Sequence, residues 1–327
     1  MGKSLKYKTH KRRGKSKSKS KSKKINNFKK TLKKKVKCSP QSALTNQYTF
    51  SCYSPNQLKT LKKHYNITHP DNKITATNTK QIWDELNNKL INRCDDETCW
   101  YKQLDLYKNE YKEQFAPNHP ISWNKNTTEW LSNIDIIKVM KQYEKAYHCF
   151  QFLGPSSIDY DTVLNQNNNN NNNNIDGIDG IRTTEYVCND LMNFNLKDMC
   201  KNKKYKIGII FNLDNHLGKG THWVSLFINC RTSTIFYFDS VGNKIPKQIN
   251  RFVSNLVEQG NGMNLSFKFD QNYPVQHQYS DTECGMYSLF FIINMLQDNL
   301  STNYLKTHKL SDKLMIAHRN ILFNSPK

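Results

Sequence analysis

The stretch CGMYSLFFIINMLQ (284–297) decides the fold. It has helical length and is apolar nearly all round, which is the pattern of a helix covered on every side. Something must cover it, and the preceding sequence supplies strands. KIGIIFNL (206–213) is an apolar run of buried-strand length. THWVSLFIN (221–229) and TIFYFD (234–239) follow, separated by the turn signals Gly218-Lys219-Gly220 and Cys230-Arg231-Thr232. Strands packed on a central buried helix predict an α+β domain with a mixed sheet.

Further elements follow on both sides. Ile249, Phe252, Val253, Leu256 and Val257 recur at helical spacing, Leu265, Phe267 and Phe269 alternate as one face of a strand, and Leu310 to Phe323 reads as a last helix. Upstream, Trp130, Ile134, Ile137, Met140, Tyr143 and Tyr147 outline another helix, preceded by a boundary at Asn118-His119-Pro120. Residues 48–118 read as a small helical module. Ser54-Pro55 caps and opens a helix through Tyr65, and Ile82, Trp83, Leu86, Leu90 and Ile91 place a second helix from about Thr79 to Cys94. Eight consecutive Asn residues (167–174) followed by IDGIDG form a low-complexity insertion near 165–180, inside the later domain of about 121–323.

The net charge of +22 is unevenly placed. Residues 1–37 hold 18 Lys or Arg and no Asp or Glu, which leaves about +4 for the other 290 residues. Such a segment cannot bury enough apolar surface to offset its chain entropy, so residues 1–37 are expected to be a disordered basic tail. It reads either as a solvated or nuclear-targeting tail or as an arm for DNA and other polyanions, since clustered Lys and Arg displace counterions from phosphates. No apolar run reaches 18 residues, so no membrane span is expected, and no secretory leader is recognised at the start. The nine cysteines are irregularly spaced, and free thiols in a reducing compartment are expected. Cys94 and Cys99 lack zinc-ligand spacing and a nearby His, and are expected to be packing residues.

Cys284 stands before the long apolar helix. The positive end of a helix dipole and a neighbouring imidazolium both favour a thiolate, the reactive form of cysteine. A buried Cys packed as a small hydrophobe is the plain alternative. Gly285 has no Cβ and would let a substrate backbone approach. His222 opens an apolar strand and Asp239 ends the next, so adjacent strand ends can bring the two together, with Asp239 fixing the imidazole tautomer. Gln278, six residues before Cys284, carries an amide able to donate to a developing oxyanion beside the backbone N–H of Cys284. His216 and His277, and Asp214, Asp270 and Asp281, fall in polar loops or at strand ends. Asp281 and Glu283 are expected to cap the Cys284 helix.

These blocks carry a resemblance. GTHWVSLFI, IFYFDSVG and QYSDTECGMYSLFFI resemble the three catalytic blocks of the Ulp1/adenain-like cysteine peptidases, with His, Asp, Gln and Cys in the same order. The resemblance implies His222 as base, Asp239 as orienting acid, Gln278 as oxyanion donor and Cys284 as nucleophile, with Trp223 lining or covering the cleft. IGIIFNLDNH, FLGP (152–155), DTECG and WLSNIDI (130–136) are also similar to the virion-maturation proteases of large DNA viruses. That likeness implies an endopeptidase that cuts structural polyproteins after Gly-Gly, without metal or cofactor, in a virion or viral factory of the host cytoplasm. The alternatives are a protease that removes ubiquitin-like modifiers and a non-enzymatic basic nucleic-acid-binding particle protein, and the alternative location is the nucleus.

Overall fold

The structure is a computed structural model, and it describes residues 36–46, 49–164 and 184–326. Most of the expected basic tail and the Asn-rich insertion lie outside the described residues.

The N-terminal part is helical: α1 (Pro40–Thr45), α2 (Pro55–Thr68), α3 (Thr79–Leu90), and the short α4 (Trp100–Gln103) and α5 (Asn109–Lys112). Ser54 caps α2 in a full capping box with Gln57, and Pro55 takes the first helical position, where its missing N–H costs nothing. Leu58, Leu61 and Tyr65 of α2 meet Ile82, Leu86 and Leu90 of α3 around buried Trp100 and Tyr53. The thiol expectation fails here. Cys38 is bonded to Cys52 with Cα atoms 5.1 Å apart, and Cys94 to Cys99 at 5.8 Å. Both separations suit a disulfide, and linear spacing does not reveal them because the chain reversals that bring the pairs together are tertiary. Cys94 and Cys99 are therefore a crosslink, not packing residues. The other five cysteines, Cys284 among them, are free.

The rest of the chain runs α6 (Asn133–Ala146), β1 (Phe150–Ser157), α7 (Asn189–Met192), α8 (Leu196–Lys201), β2 (Lys206–Asn212), β3 (Trp223–Asn229), β4 (Thr234–Phe238), α9 (Lys247–Asn261), β5 (Lys268–Gln271), α10 (Cys284–Leu296), α11 (Thr302–Thr307) and α12 (Asp312–Leu322). The strands form one sheet in the order β1-β2-β3-β4-β5. β1 and β2 are parallel, β2–β3 and β3–β4 antiparallel, and β4 and β5 parallel, so the sheet is mixed. Its inner strands read as continuous apolar runs because both faces are covered. Ile207, Ile209 and Phe211 alternate onto one face, joined by Leu226 and Tyr237, and meet Ile249, Phe252, Val253 and Leu256 of α9. Ile210, Phe227, Phe236 and Phe238 point to the other face and meet α10. α10 is buried between this face and α6 and α12, which explains its apolar circumference.

Several elements depart from the sequence reading, and the short helices α1, α7, α8 and α11 were not foreseen. β1 was not foreseen, because Gly154-Pro155 interrupts FQFLGPSS and reads as a turn. Pro155 is tolerated because β1 is an edge strand, and the register shifts across it between Leu153 and Ser156. α6 buries Ile136, Val139 and Met140, and Tyr143 and Tyr147 pack against the same core as expected, but Ile134 and Ile137 are exposed and Trp130 precedes the helix, so only the first half of the expected apolar stripe was out of phase. β5 starts only at Lys268, leaving Leu265 and Phe267 to pack against the α9 face from the preceding loop.

Gly208, in the middle of β2, faces α10 so closely that a Cβ would lie 2.8 Å from Ile292 Cγ2 and 3.1 Å from the Phe150 ring. The contact between nucleophile helix and sheet thus depends on a missing side chain. Gly208→Ala should overpack this layer and destabilise the protein by about 1–3 kcal/mol, read as a lower urea midpoint at an unchanged slope. An unchanged midpoint would mean that the layer yields freely.

Candidate active site

β3 and β4 are antiparallel, with Ser225 opposite Phe238, so the start of β3 and the end of β4 lie side by side at one end of the central strands. His222 immediately precedes β3 and Asp239 immediately follows β4. The backbone carbonyl of His222 accepts from Leu213 N at 2.9 Å, which ties it to the end of β2. α10 lies across the same sheet, and its first residue, Cys284, is 2% exposed. The structure brings these three residues together. His222 Nε2 donates to Asp239 Oδ1 at 2.7 Å, and the Cys284 thiol is a further hydrogen-bond partner of the imidazole. With Nε2 committed to the carboxylate, Nδ1 is the nitrogen left for sulfur.

Burial pushes the His222 imidazole down. The hydrogen bonds from Asp239 and Cys284, and the charges of both groups, outweigh that and raise it to about 9. At neutral pH the ring is therefore an imidazolium beside a sulfur, at the N-terminus of a helix whose first turn has no side-chain cap.

Asp239 is fully buried. Its Oδ1 also accepts from Val241 N at 2.9 Å, and Asn272 holds its backbone from both sides. Asn272 Oδ1 accepts from Asp239 N at 2.9 Å, and Asn272 Nδ2 donates to Asp239 O at 2.7 Å and to Val275 O at 2.9 Å. The sequence reading missed Asn272. Its only signal is a loop Asn after a strand, which ordinarily marks a turn.

Gln278 is buried close by. Its Oε1 accepts from Ser240 Oγ at 2.6 Å, and its Nε2 donates to Ser280 O at 2.5 Å. Ser280 thus takes one of the two amide hydrogens and leaves the second.

Trp223 and Gly285 behave differently from the sequence reading. Trp223 is 5% exposed, and its Nε1 donates to Leu131 O at 3.1 Å. A Cβ on Gly285 would lie 3.0 Å from Leu131 Cβ and 3.3 Å from Trp223 Cδ1. The absent side chain at 285 therefore makes room for Leu131 and the indole, not for a substrate backbone. Trp223 still forms part of the wall of a cavity of about 700 Å³, with Trp130, Leu131, Ser156, Asn212 and Gly220.

The competing residues fall elsewhere. His216 Nδ1 pairs with Asp159 at 2.7 Å, Asp270 with Lys306, and Asp214 accepts from Gly220 N within its own loop. His277 is fully buried, contrary to its polar-loop reading, with Nδ1 accepting from Leu310 N at 3.1 Å. Glu283 does not cap α10 with its carboxylate. It is buried and accepts from Arg319 Nε at 2.9 Å, a pairing with a residue 36 positions away that local sequence cannot reveal. Asp281 is exposed.

The "Ulp1 protease family, C-terminal catalytic domain" matches residues 141–325. The chain belongs to that family. Its enzyme class is cysteine-type peptidase. Among its relatives, a cysteine protease of African swine fever virus (isolate Tick/Malawi/Lil 20-1/1983) is 27% identical over 270 residues, covering 79% of this chain and 93% of that protein. A thiol-protease-like protein of Acanthamoeba polyphaga mimivirus is 29% identical over 201 residues, covering 59% of this chain, and the chain spans 58% of that relative's length. A crystal structure of the African swine fever virus protease superposes with a TM-score of 0.58 at 22% identity, covering 89% of this chain and 98% of that one, which establishes the shared fold.

The raised imidazole gives a pH prediction. A group whose folded value lies above its ordinary 6.5 stabilises the fold fully below that value and loses the contribution as pH rises through about 9. The kcat/KM profile should therefore have an alkaline limb near pH 9, and His222, followed by imidazole NMR, should titrate there. In Cys284→Ala one of the raising partners is gone, so the His222 titration should move down. An unmoved titration would mean that the thiol does not act on the ring.

Proposed function

We propose that this chain is a cysteine endopeptidase that cuts viral structural polyproteins after Gly-Gly during particle maturation, in a virion or viral factory. The observation that carries the reading is the meeting of Cys284, His222 and Asp239 at one end of the central strands, with His222 held between carboxylate and thiol. The sulfur, its proton held on His222 Nδ1, attacks the scissile carbonyl carbon. The oxyanion takes the backbone N–H of Cys284 and the free Nε2 hydrogen of Gln278. His222 then gives its proton to the leaving amine as the C–N bond breaks, leaving a thioester on Cys284. Neutral His222 next takes one proton from water as its oxygen attacks the thioester carbon. The C–S bond breaks, the sulfur leaves as the thiolate beside the re-formed imidazolium, and the product acid loses its remaining proton to solvent as a carboxylate. Asp239 keeps Nε2 protonated throughout, so that Nδ1 does the proton transfer.

One observation supports the substrate side: the relatives above are viral proteins. The Gly-Gly preference rests on the resemblance of the three catalytic blocks, since Trp223, which directly follows His222, is buried against Leu131 and the cavity it borders is not lined by His222, Asp239, Gln278 or Cys284. Removal of a ubiquitin-like modifier uses the same chemistry, and relatives bear the description SUMO-1 cysteine protease, so that substrate class is the second reading. The basic residues 1–37 fit an arm for DNA or another polyanion that holds the enzyme near packaged nucleic acid.

Fluorogenic peptides ending in Gly-Gly before the reporter test this reading. The wild type should turn them over and Cys284→Ala should not. Gln278→Ala should lower kcat by about 10²–10³-fold, the range for one lost oxyanion donor. Ala in place of the glycine before the cut should lower kcat/KM at least about tenfold. Activity in Cys284→Ala would overturn the nucleophile, and equal turnover of Ala-Ala peptides the specificity. Cleavage of a SUMO precursor in preference to capsid precursors would favour the second reading.

A further inference from the structure

The turn that carries Asp239 also touches Gln278, through a residue with no role in the chemistry above. Ser240 is 1% exposed, and its Oγ donates to Gln278 Oε1 at 2.6 Å. Its carbonyl accepts from both His277 N and Gln278 N, each at 2.8 Å. One residue thus holds Gln278 by backbone and by side chain. The two segments are pressed together as well. Gly242, at φ +78°, lies so close to the 275–276 backbone that a Cβ there would be 2.8 Å from the Val275 carbonyl carbon and oxygen. The turn 239–242 and the segment 275–278 therefore have a fixed separation, and Ser240 sits where they meet.

We propose that Ser240 is a positioning residue for the oxyanion donor, a role that rests on the reading of Gln278 given above. The amide of Gln278 has two ends of equal shape, and their partners decide how it lies. The Ser280 carbonyl can only accept, so it holds the Nε2 end and uses one hydrogen. The Ser240 hydroxyl satisfies Oε1 at the other end. With both ends pinned, the second Nε2 hydrogen has a set direction and serves the oxyanion without reorganisation. Without the hydroxyl, Oε1 is a buried acceptor with no donor, and the side chain must move to recover one. The dipeptide Asp239-Ser240 then aligns both halves of the site, the base through the carboxylate of one residue and the oxyanion donor through the hydroxyl of the next.

A double-mutant cycle in the full-length chain tests this. Ser240→Ala should lower kcat at least about tenfold with KM within about twofold, since oxyanion contacts act in the transition state. Ser240→Thr keeps the hydroxyl and should restore most of the loss. In the Gln278→Ala background, adding Ser240→Ala should change kcat by less than about twofold, because the group it positions is gone. The alkaline limb near pH 9 should stay in place in Ser240→Ala, which separates action through Gln278 from disturbance of Asp239 and His222. Equal losses in both backgrounds, or a shifted alkaline limb, would overturn the proposal. A damaged Gln278→Ala beside an undamaged Ser240→Ala would overturn the proposal alone. A fully active Gln278→Ala would overturn the oxyanion reading and the proposal with it.

Discussion

An imidazole held between a buried carboxylate and a thiol is the constraint on which the rest of this structure turns. His222 must carry a proton in a place where burial disfavours charge, and only the Asp239 carboxylate and the neighbouring sulfur offset that cost. The three groups come from chain positions 222, 239 and 284, so no local segment can hold them. The antiparallel pairing of β3 with β4 brings the first two to one end of these strands, and the packing of α10 over Phe227, Phe236 and Phe238 brings the third. Each large apolar feature of the catalytic region serves that placement.

Burying Asp239 is costly unless the carboxylate and its backbone are satisfied. Asn272 takes the backbone N–H and C=O, Val241 N and His222 donate to Oδ1, and the turn beyond is locked where Gly242 meets Val275, while Oδ2 is buried without a hydrogen-bond partner among the described residues, so the charge is offset through one oxygen alone. A similar arrangement steadies the nucleophile from the far side. Glu283, next to Cys284, is buried against Arg319 of α12, whose guanidinium also lies 4.4 Å from the Trp123 ring centroid. Breaking such a pair by removing one partner leaves an uncompensated buried charge, so α12 is tied to the start of α10 although it contributes no group to the reaction. The C-terminal segment is tied in turn to the N-terminal helices. The Asn324 side chain accepts from Lys37 N and donates to Lys37 O and Ala116 O.

The sequence was most informative where periodicity and chemistry agree. The apolar run at 284–297 and the three strand runs before it fix the buried helix and the central strands, because a segment with no polar face has one environment available. Of the order His, Asp, Gln, Cys around those elements, the structure brings His222, Asp239 and Cys284 together and ties Gln278 to the turn that follows Asp239. Legibility was lost where tertiary contacts decide. β1 hides behind Gly154-Pro155, which is acceptable only at a sheet edge. The phase of α6 depends on which neighbours cover it. Gly285 has the composition of an open approach, yet Leu131 and Trp223 occupy the space. His277 looks polar in sequence but lies fully buried, and the two disulfides arise from folds of the N-terminal helices that Cys spacing does not encode. Asn272 and Ser240 left almost no trace, because a positioning residue is defined by what it touches.

The most direct test of the central claim is limited alkylation with iodoacetamide at pH 6, read by peptide mass spectrometry. An imidazolium beside the sulfur predicts that Cys284 is labelled first among the five free cysteines, although it is buried, and that His222→Ala removes the preference. Labelling of the more exposed Cys149, Cys188 and Cys200 ahead of Cys284 in the wild type, or unchanged Cys284 labelling in His222→Ala, would contradict it.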